Sequence, residues 1–344
     1  MSRSIGMKKV SLKDIADELN LSKTTISWIL TGKGEERGFS QSTIELVKQH
    51  ARKVNYQPNL VARSLYTGKT NTIGLIIPAI GDTFYAQMAH AVEQEAYKYK
   101  NVLTISSSEG DGQREDLIID NLINKQVDGI ILAPSKRTSR GISRLIESSY
   151  PFVLIDRYFP EYSTRYIIVN NDESSFDLVH RLSLRGARKI ALLFTEEHTR
   201  VMQMRFDGYR RALTTFDLPY SDSLRLSVDK GRWKEHTHEL LDQLFMEIPD
   251  VDGFYFANHF LAMEAIRYFI QRRIDYNHCF QMACFHETEG LDMLAPDMLI
   301  SRMPIEEMGS MSVKLLLDPD YIQKPIEQQQ IVLPNKLVGY NENQ

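Results

Sequence analysis

The sequence predicts an α/β chain with an all-α head: a helix-turn-helix domain and a short connecting helix, then two doubly wound parallel α/β lobes. Three observations carry this reading. Charge is divided, because residues 1–70 hold 12 Lys+Arg against 6 Asp+Glu, so in a chain of net charge −4 the other 274 residues carry −10. Apolar residues in the head recur at helical spacing. From residue 72 onward, short apolar runs alternate with helical stretches, the pattern of parallel sheets.

Composition narrows the class. Apolar residues at 42% and charged residues at 25% are ordinary for a globular protein in water. No run approaches the roughly 18 apolar residues of a membrane span, so no membrane partner is expected. The first segment, "MSRSIGMKKVSLKDIADEL", lacks the apolar core of an export signal, and a cytoplasmic location is expected. Cys279 and Cys284 are too few for a disulfide framework and are expected to be buried thiols in a reducing compartment.

In the head (residues 1–57), Leu12, Ile15, Ala16 and Leu19 make one helical stripe. Ser11 can cap that helix, with Asp14 as its capping-box partner. Asn20 tolerates the left-handed conformation of a tight turn. Ser22 can cap a second helix whose inward face is Ile26, Ile29 and Leu30. Counting Leu12 as first, Ala16 falls fifth, Asn20 ninth, Ile26 fifteenth and Ile29 eighteenth, which is helix-turn-helix spacing. Lys23, Thr24, Ser27 and Trp28 are left facing outward, at the positions that enter a DNA major groove in this motif. A basic head on an acidic body agrees with a polyanionic partner. The competing reading is a helical hairpin in which Trp28 is packing. A third helix, from about Ser40 to Val54, closes the domain through Ile44, Val47 and Ala51, and "TGKGEERGF" before it reads as an exposed loop.

Residues 58–71 form the connection. Pro58 suits a first helical turn, Leu60, Val61, Ala62 and Leu65 give an apolar face, and Gly68 stops the helix. Residues 72–344 are the body. Its strand-like runs are "TIGLIIP", "NVLTISS", "DGIILAP", "FVLIDR", "YIIVNN", "KIALLFT", "DGFYFAN" and "FQMACFH". Between them lie helices such as Phe84–Tyr99, Arg114–Lys125, Glu173–Arg185, Met204–Thr215 and Lys234–Met246. Four strands up to "FVLIDR" and four after it imply two lobes meeting around residues 157–164, with a cleft at the carboxyl ends of the strands.

The runs "VSLKDIADELNLSKTTIS", "NYQPNLVARSL" and "TNTIGLIIP" resemble the lactose-repressor-type (LacI/GalR) family of bacterial transcriptional regulators, and the resemblance extends through the body. It implies a hinge helix in the DNA minor groove, with Leu65 as wedge and Asn59 and Ala62 against the groove. Trp28 departs from the arginine common in that recognition helix, and tryptophan is not a guanine reader. The resemblance also implies a body of periplasmic-binding-protein type with a ligand-driven hinge. "SRMPIEEMGSMSVKLLL" then matches a return to the first lobe, and "IVLPNKLVGYNE" matches final strands mainly in the second. The first lobe is expected at about 72–160 and 296–320, the second at about 161–295 and 321–344.

Cleft residues follow from the loops after strands. "AIGDTFY" offers Asp82, Phe84 and Tyr85, where the family commonly has Asn-Pro. "VLIDR" offers Asp156. "HTRVMQMRFDGY" offers Arg200 and Arg205, the latter matching the family's ligand-binding arginine. "FANHFLAMEA" offers Asn258 and His259 in place of Asn-Asp, and "ACFHE" offers His286 in place of an aspartate. Trp233 is a candidate stacking wall.

No GxSxG, Walker loop, HExxH or GxGxxG occurs, so no catalytic residue, metal or cofactor is expected. His236 and His238 do not share a helix face and make a poor metal pair. The expected function is DNA-binding transcriptional regulation, as a repressor, set by a small carbohydrate-derived effector. A homodimer on a near-palindromic operator is implied. With histidines in place of aspartates near Arg205 and Arg200, an anionic effector, a sugar phosphate or sugar acid, is expected. The alternatives are an exported solute-binding protein and a metabolite-processing enzyme.

Overall fold

The computed structural model describes residues 10–56, 64, 68–135, 140–195 and 200–339. Contacts divide the chain into two units, Met1–Thr70 and Asn71–Gln344.

The first unit holds α1 (Leu12–Leu19), α2 (Lys23–Leu30) and α3 (Gln41–Lys53). Ser11 and Asp14 form the capping box and Asn20 ends α1 with φ of 55°. Ser22 Oγ accepts from the Thr25 amide at 3.0 Å. Each cap is worth about 1 kcal/mol. Ile15, Ala16, Ile26, Ile29, Ile44, Val47 and Ala51 form the buried core. Most of the 31–39 segment is exposed, as expected, but it is anchored at one point. Gly34 is buried, and a Cβ there would stand 3.0 Å from Ile44 and 3.3 Å from Ile29, so the segment folds down onto the helices. Trp28 is half-buried against it.

The second unit is built on two six-stranded sheets. The first lobe's strands are β1 (Thr72–Ile77), β2 (Val102–Ser107), β3 (Gly129–Leu132), β4 (Phe152–Ile155), β5 (Tyr166–Val169) and β11 (Gln330–Leu333). They run in the order β11-β5-β4-β3-β1-β2, and every pairing is parallel. The second lobe's are β6 (Ile190–Thr195), β7 (Arg225–Val228), β8 (Gly253–Phe256), β9 (Gln281–Phe285), β10 (Leu299–Arg302) and β12 (Lys336–Gly339). Their order is β12-β10-β9-β8-β6-β7, with only β12 antiparallel.

Helices cover both faces of each sheet. Around the first are α4 (Thr83–Lys98), α5 (Gly112–Asn124), α6 (Arg140–Glu147) and α11 (Ile305–Leu317); around the second are α7 (Asn171–Leu184), α8 (Arg200–Thr215), α9 (Trp233–Glu247) and α10 (His259–Gln271). Strands buried on both faces read as near-continuous apolar runs, and Ile73, Leu75 and Ile77 pack toward α4 and α11 while Ile76 packs toward α5. The α7–α8 contact is so close that a Cβ on Gly208 would stand 2.2 Å from the Asp172 carbonyl oxygen.

The lobe boundaries differ from those read in the sequence. β5 and β11 belong to the first sheet and β10 to the second. Apolar alternation shows that a run is a buried strand but not which sheet takes it. The chain crosses between lobes after β5, after β10 and between β11 and β12. Hydrogen bonds tie these crossings together. The Asn335 amide donates to Asn170 Oδ1 at 2.8 Å, and Asn335 Nδ2 donates to Ser301 Oγ at 2.8 Å. One asparagine thus links all three. Cys284 is buried as expected, whereas Cys279 is exposed, at the end of a short helical turn, Tyr276–Cys279, outside the second core. Among the described residues no helix is long and apolar enough to cross a membrane.

Candidate effector cleft and recognition helix

A cavity of about 590 Å³ lies between the lobes at the carboxyl ends of the strands, lined from the first by Asp82, Tyr85 and Asp156 and from the second by Arg205, Asn258 and His286. Phe84 and His259 line it as well.

Asp82 is the N-cap of α4, its Oδ1 accepting from the Phe84 amide at 2.9 Å. The same oxygen faces His259 Nε2, the first residue of α10, at 3.5 Å. Burial by itself would raise the Asp82 pKa. The His259 hydrogen bond and charge, with the Phe84 amide, outweigh burial and hold it below the ordinary carboxylate value. Behind it, Tyr85 donates its hydroxyl to Asp156 Oδ2 at 2.8 Å. Asp156 ends β4 in the left-handed region, φ 64°, with Arg157 Nε 3.4 Å from the same carboxylate oxygen.

On the opposite wall Arg205 is buried. Its Nε donates to Asn171 Oδ1 at 2.8 Å and its Nη1 to the Ala257 carbonyl at 2.7 Å and Asn258 Oδ1 at 3.3 Å. The guanidinium carbon lies 3.6 Å from the Phe285 ring centroid. This arrangement fixes a planar cation and turns the Asn258 amide so that its Nδ2 is left over. Asn258 Nδ2 and His286 Nδ1 are buried without a hydrogen-bond partner among the described residues. Such orphan polar atoms in a cavity wall are what a polar ligand satisfies.

His286 also sits in the left-handed region, φ 71°, edge-on to Phe84 at 5.3 Å across the cleft. Burial, then His259 and Arg205, push its pKa down to about 3. It is therefore a neutral hydrogen-bonding group at pH 6 to 8, and not the cation that its sequence position suggested.

Two expected residues do not line the cavity. Arg200 is exposed at the start of α8, 3.9 Å from Asp207; it lies more than one helical turn before Arg205, which turns it outward. Trp233 begins α9 and packs edge-on against Phe260 at 5.3 Å, and Phe260 is the ring that lines the cleft. Residues not singled out from the sequence include Arg157, Lys230, Phe260 and Phe285. Arg157 was signalled by its place beside Asp156 in "LIDR"; Lys230 follows β7, a short strand whose half-buried pattern gave little apolar signal. His236 and His238 go to separate partners, the Asp229 amide at 2.9 Å and Glu264 at 2.9 Å.

In the first unit, Lys23 and Thr24 are exposed on α2, while Ser27 and Trp28 are half-buried. Asn59, Ala62 and Leu65 lie outside the described residues.

Residues 73–281 match the periplasmic binding protein domain family. The chain is 28% identical over 330 residues to catabolite control protein A of Priestia megaterium, covering 95% of this chain and 97% of that one. The match therefore takes in the helix-turn-helix head as well as the two-lobed body. The chain belongs to the periplasmic binding protein domain family, and its homologues over nearly the full length are regulators of the LacI/GalR type. Solved LacI/GalR-type folds agree with this. The lac repressor dimer bound to operator and an anti-inducer superposes with a TM-score of 0.82 at 20% identity, covering 96% of this chain and 98% of that one. The regulator CelR in complex with cellobiose gives 0.70 at 21%, covering the same shares. Like these homologues, the chain is a transcriptional regulator and not an enzyme.

Proposed function

We propose that this regulator binds a near-palindromic operator as a homodimer, with the face of α2 that carries Lys23, Thr24, Ser27 and Trp28 toward the DNA, and that a carbohydrate-derived effector in the cleft sets its operator affinity, the regulator acting as a repressor. The lac repressor and CelR structures, one on operator and one holding cellobiose, support the reading. Paired half-sites call for a two-fold assembly.

The observation that carries the effector proposal is the polarity of the two walls. The first lobe presents the Asp82 and Asp156 carboxylates; the second presents Arg205 and the orphan Asn258 Nδ2 and His286 Nδ1. Carboxylates accept hydroxyl hydrogen bonds. A guanidinium and an amide N–H donate to an acceptor-rich group, and most strongly to an anion. A sugar acid or sugar phosphate fits this division, its hydroxyls toward the first lobe and its anionic end toward Arg205 and Asn258. The case rests on Arg205 and Asn258, since His286 is neutral.

Calorimetry with matched neutral, oxidised and phosphorylated sugars at pH 6 and pH 8 tests this. The anion should bind tighter at both pH values. Tighter binding of the neutral sugar, or an unchanged preference in His286→Asp, would sink the anionic reading while leaving the regulator assignment intact.

A further inference from the structure

We propose that Arg37 is a DNA-backbone contact of this regulator and that Trp28 is the residue that positions it. The inference rests on the reading of the first unit as the DNA-binding head and assigns a contact outside the recognition helix.

Trp28 lies on α2 with Lys23, Thr24 and Ser27, the outward set. An indole has one N–H donor and no acceptor, so it cannot make the bidentate contacts by which base edges are read. Its ring is occupied by protein. The Arg37 guanidinium carbon lies 4.7 Å from the ring centroid, and Phe39 packs against it at 6.2 Å with a 34° tilt. A half-buried tryptophan on the groove side of α2 is thus a platform for the segment that follows the helix.

That segment holds Arg37 in place. Gly32 and Gly38 take positive φ of 83° and 76°, which let the chain double back. The Arg37 amide donates to the Lys33 carbonyl at 3.2 Å, Gly38 to Glu35 at 2.9 Å and Phe39 to Gly34 at 3.1 Å. Arg37 itself is exposed, and among the described residues its guanidinium is held by the Trp28 face and by no hydrogen bond or ion pair. Stacking uses the flat face and leaves the five N–H donors at the edge. Part of the entropy cost of fixing a long side chain is met before DNA arrives. Lys33, Glu35, Glu36 and Arg37 sum to no net charge, so general attraction by the loop does not supply this contact; one placed guanidinium does.

A backbone phosphate is the partner that fits. Arg37 stands beyond the C-terminal end of α2, outside the helix positions that reach base-edge depth. Half to two-thirds of protein–DNA hydrogen bonds go to phosphate and sugar, and these set register on the duplex. A planar fork matches a phosphate bidentately.

The test uses the full chain and two duplexes, one selected by the wild-type protein from a random-sequence library and one a scrambled control. Anisotropy titrations over a salt series are run on wild type, Arg37→Ala, Trp28→Leu and the double variant, each checked for native helix content. Arg37→Ala should weaken both duplexes by the same factor and lower the salt slope by about one. Trp28→Leu should lose part of that slope, and the double variant should be no weaker than Arg37→Ala by the Trp28→Leu factor. If Trp28→Leu does not fold, Trp28→Phe, which keeps an aromatic face, should retain the wild-type slope. An unchanged slope in Arg37→Ala, a loss confined to the selected duplex, additive losses, or a slope lost in Trp28→Phe each overturn the proposal. A wild-type chain that binds neither duplex overturns the DNA-head reading itself.

Discussion

His259, on the second lobe, places its Nε2 3.5 Å from Asp82 Oδ1 on the first. Beside this pair, Thr83 and Thr288 bring their hydroxyls to 3.2 Å across the same gap. These contacts bridge the mouth of the cleft, so ligand capture and lobe closure share the Asp82 carboxylate.

Replacing Asp82 by Asn should weaken closure and reduce effector affinity by about tenfold, the loss of one charge-assisted contact. The pH sign follows from its lowered pKa. The stabilising contribution is full above the unfolded carboxylate value of about 3.9 and is lost as pH falls through the lower folded value. Urea midpoints between pH 6 and pH 3 should therefore converge for wild type and Asp82→Asn at the acid end. Parallel curves throughout would show that the pair is energetically silent.

His286 acts in the same direction over a higher pH window. Its folded pKa of about 3 lies below the ordinary histidine value, so between about pH 6.5 and 3 the unfolded chain binds more protons. Stability should fall with acidification across that window, at up to about 1.4 kcal/mol per pH unit. His286→Gln should remove that part of the slope. An unaltered slope would mean that the ring is solvated.

Arg205→Lys keeps the charge but cannot reach Asn171, Ala257 and Asn258 together from one planar group. We expect effector affinity to drop at least tenfold while the fold persists. Arg205→Ala strands the Asn171 and Ala257 oxygens and should also cost about 1–3 kcal/mol of stability. Calorimetric titration and denaturant unfolding separate the two effects.

Gly208→Ala places a methyl against the Asp172 carbonyl, 2.2 Å away before relaxation. The helices α7 and α8 must part, and a loss of about 1–3 kcal/mol is expected. An unchanged denaturation midpoint would show that the interface yields freely.

Much of this was legible in the sequence. The capping box at Ser11–Asp14, the turn at Asn20 and the buried strands are local patterns, and local patterns survive in sequence. Asp82, Tyr85, Asp156, Asn258 and His286 reach the cleft because strand ends point there. Arg200 and Trp233 went astray because helix phase and the order of packing, Trp233 behind Phe260, depend on neighbours distant in sequence. The sheet membership of β5, β10 and β11 depends on where the chain crosses, which the strands' composition does not encode. The low pKa of His286 arises from burial beside His259 and Arg205, a tertiary effect. The seat of Arg37 on Trp28 needed the folded loop.

The most direct test of the central claim is the affinity of the full chain for a self-selected duplex against its scrambled control at one physiological salt concentration, for wild type and Lys23→Ala. The selected duplex should be preferred at least about a thousandfold, a preference cut by about 1–3 kcal/mol in Lys23→Ala. Equal affinity for the two duplexes, or a preference that Lys23→Ala leaves untouched, would contradict the claim.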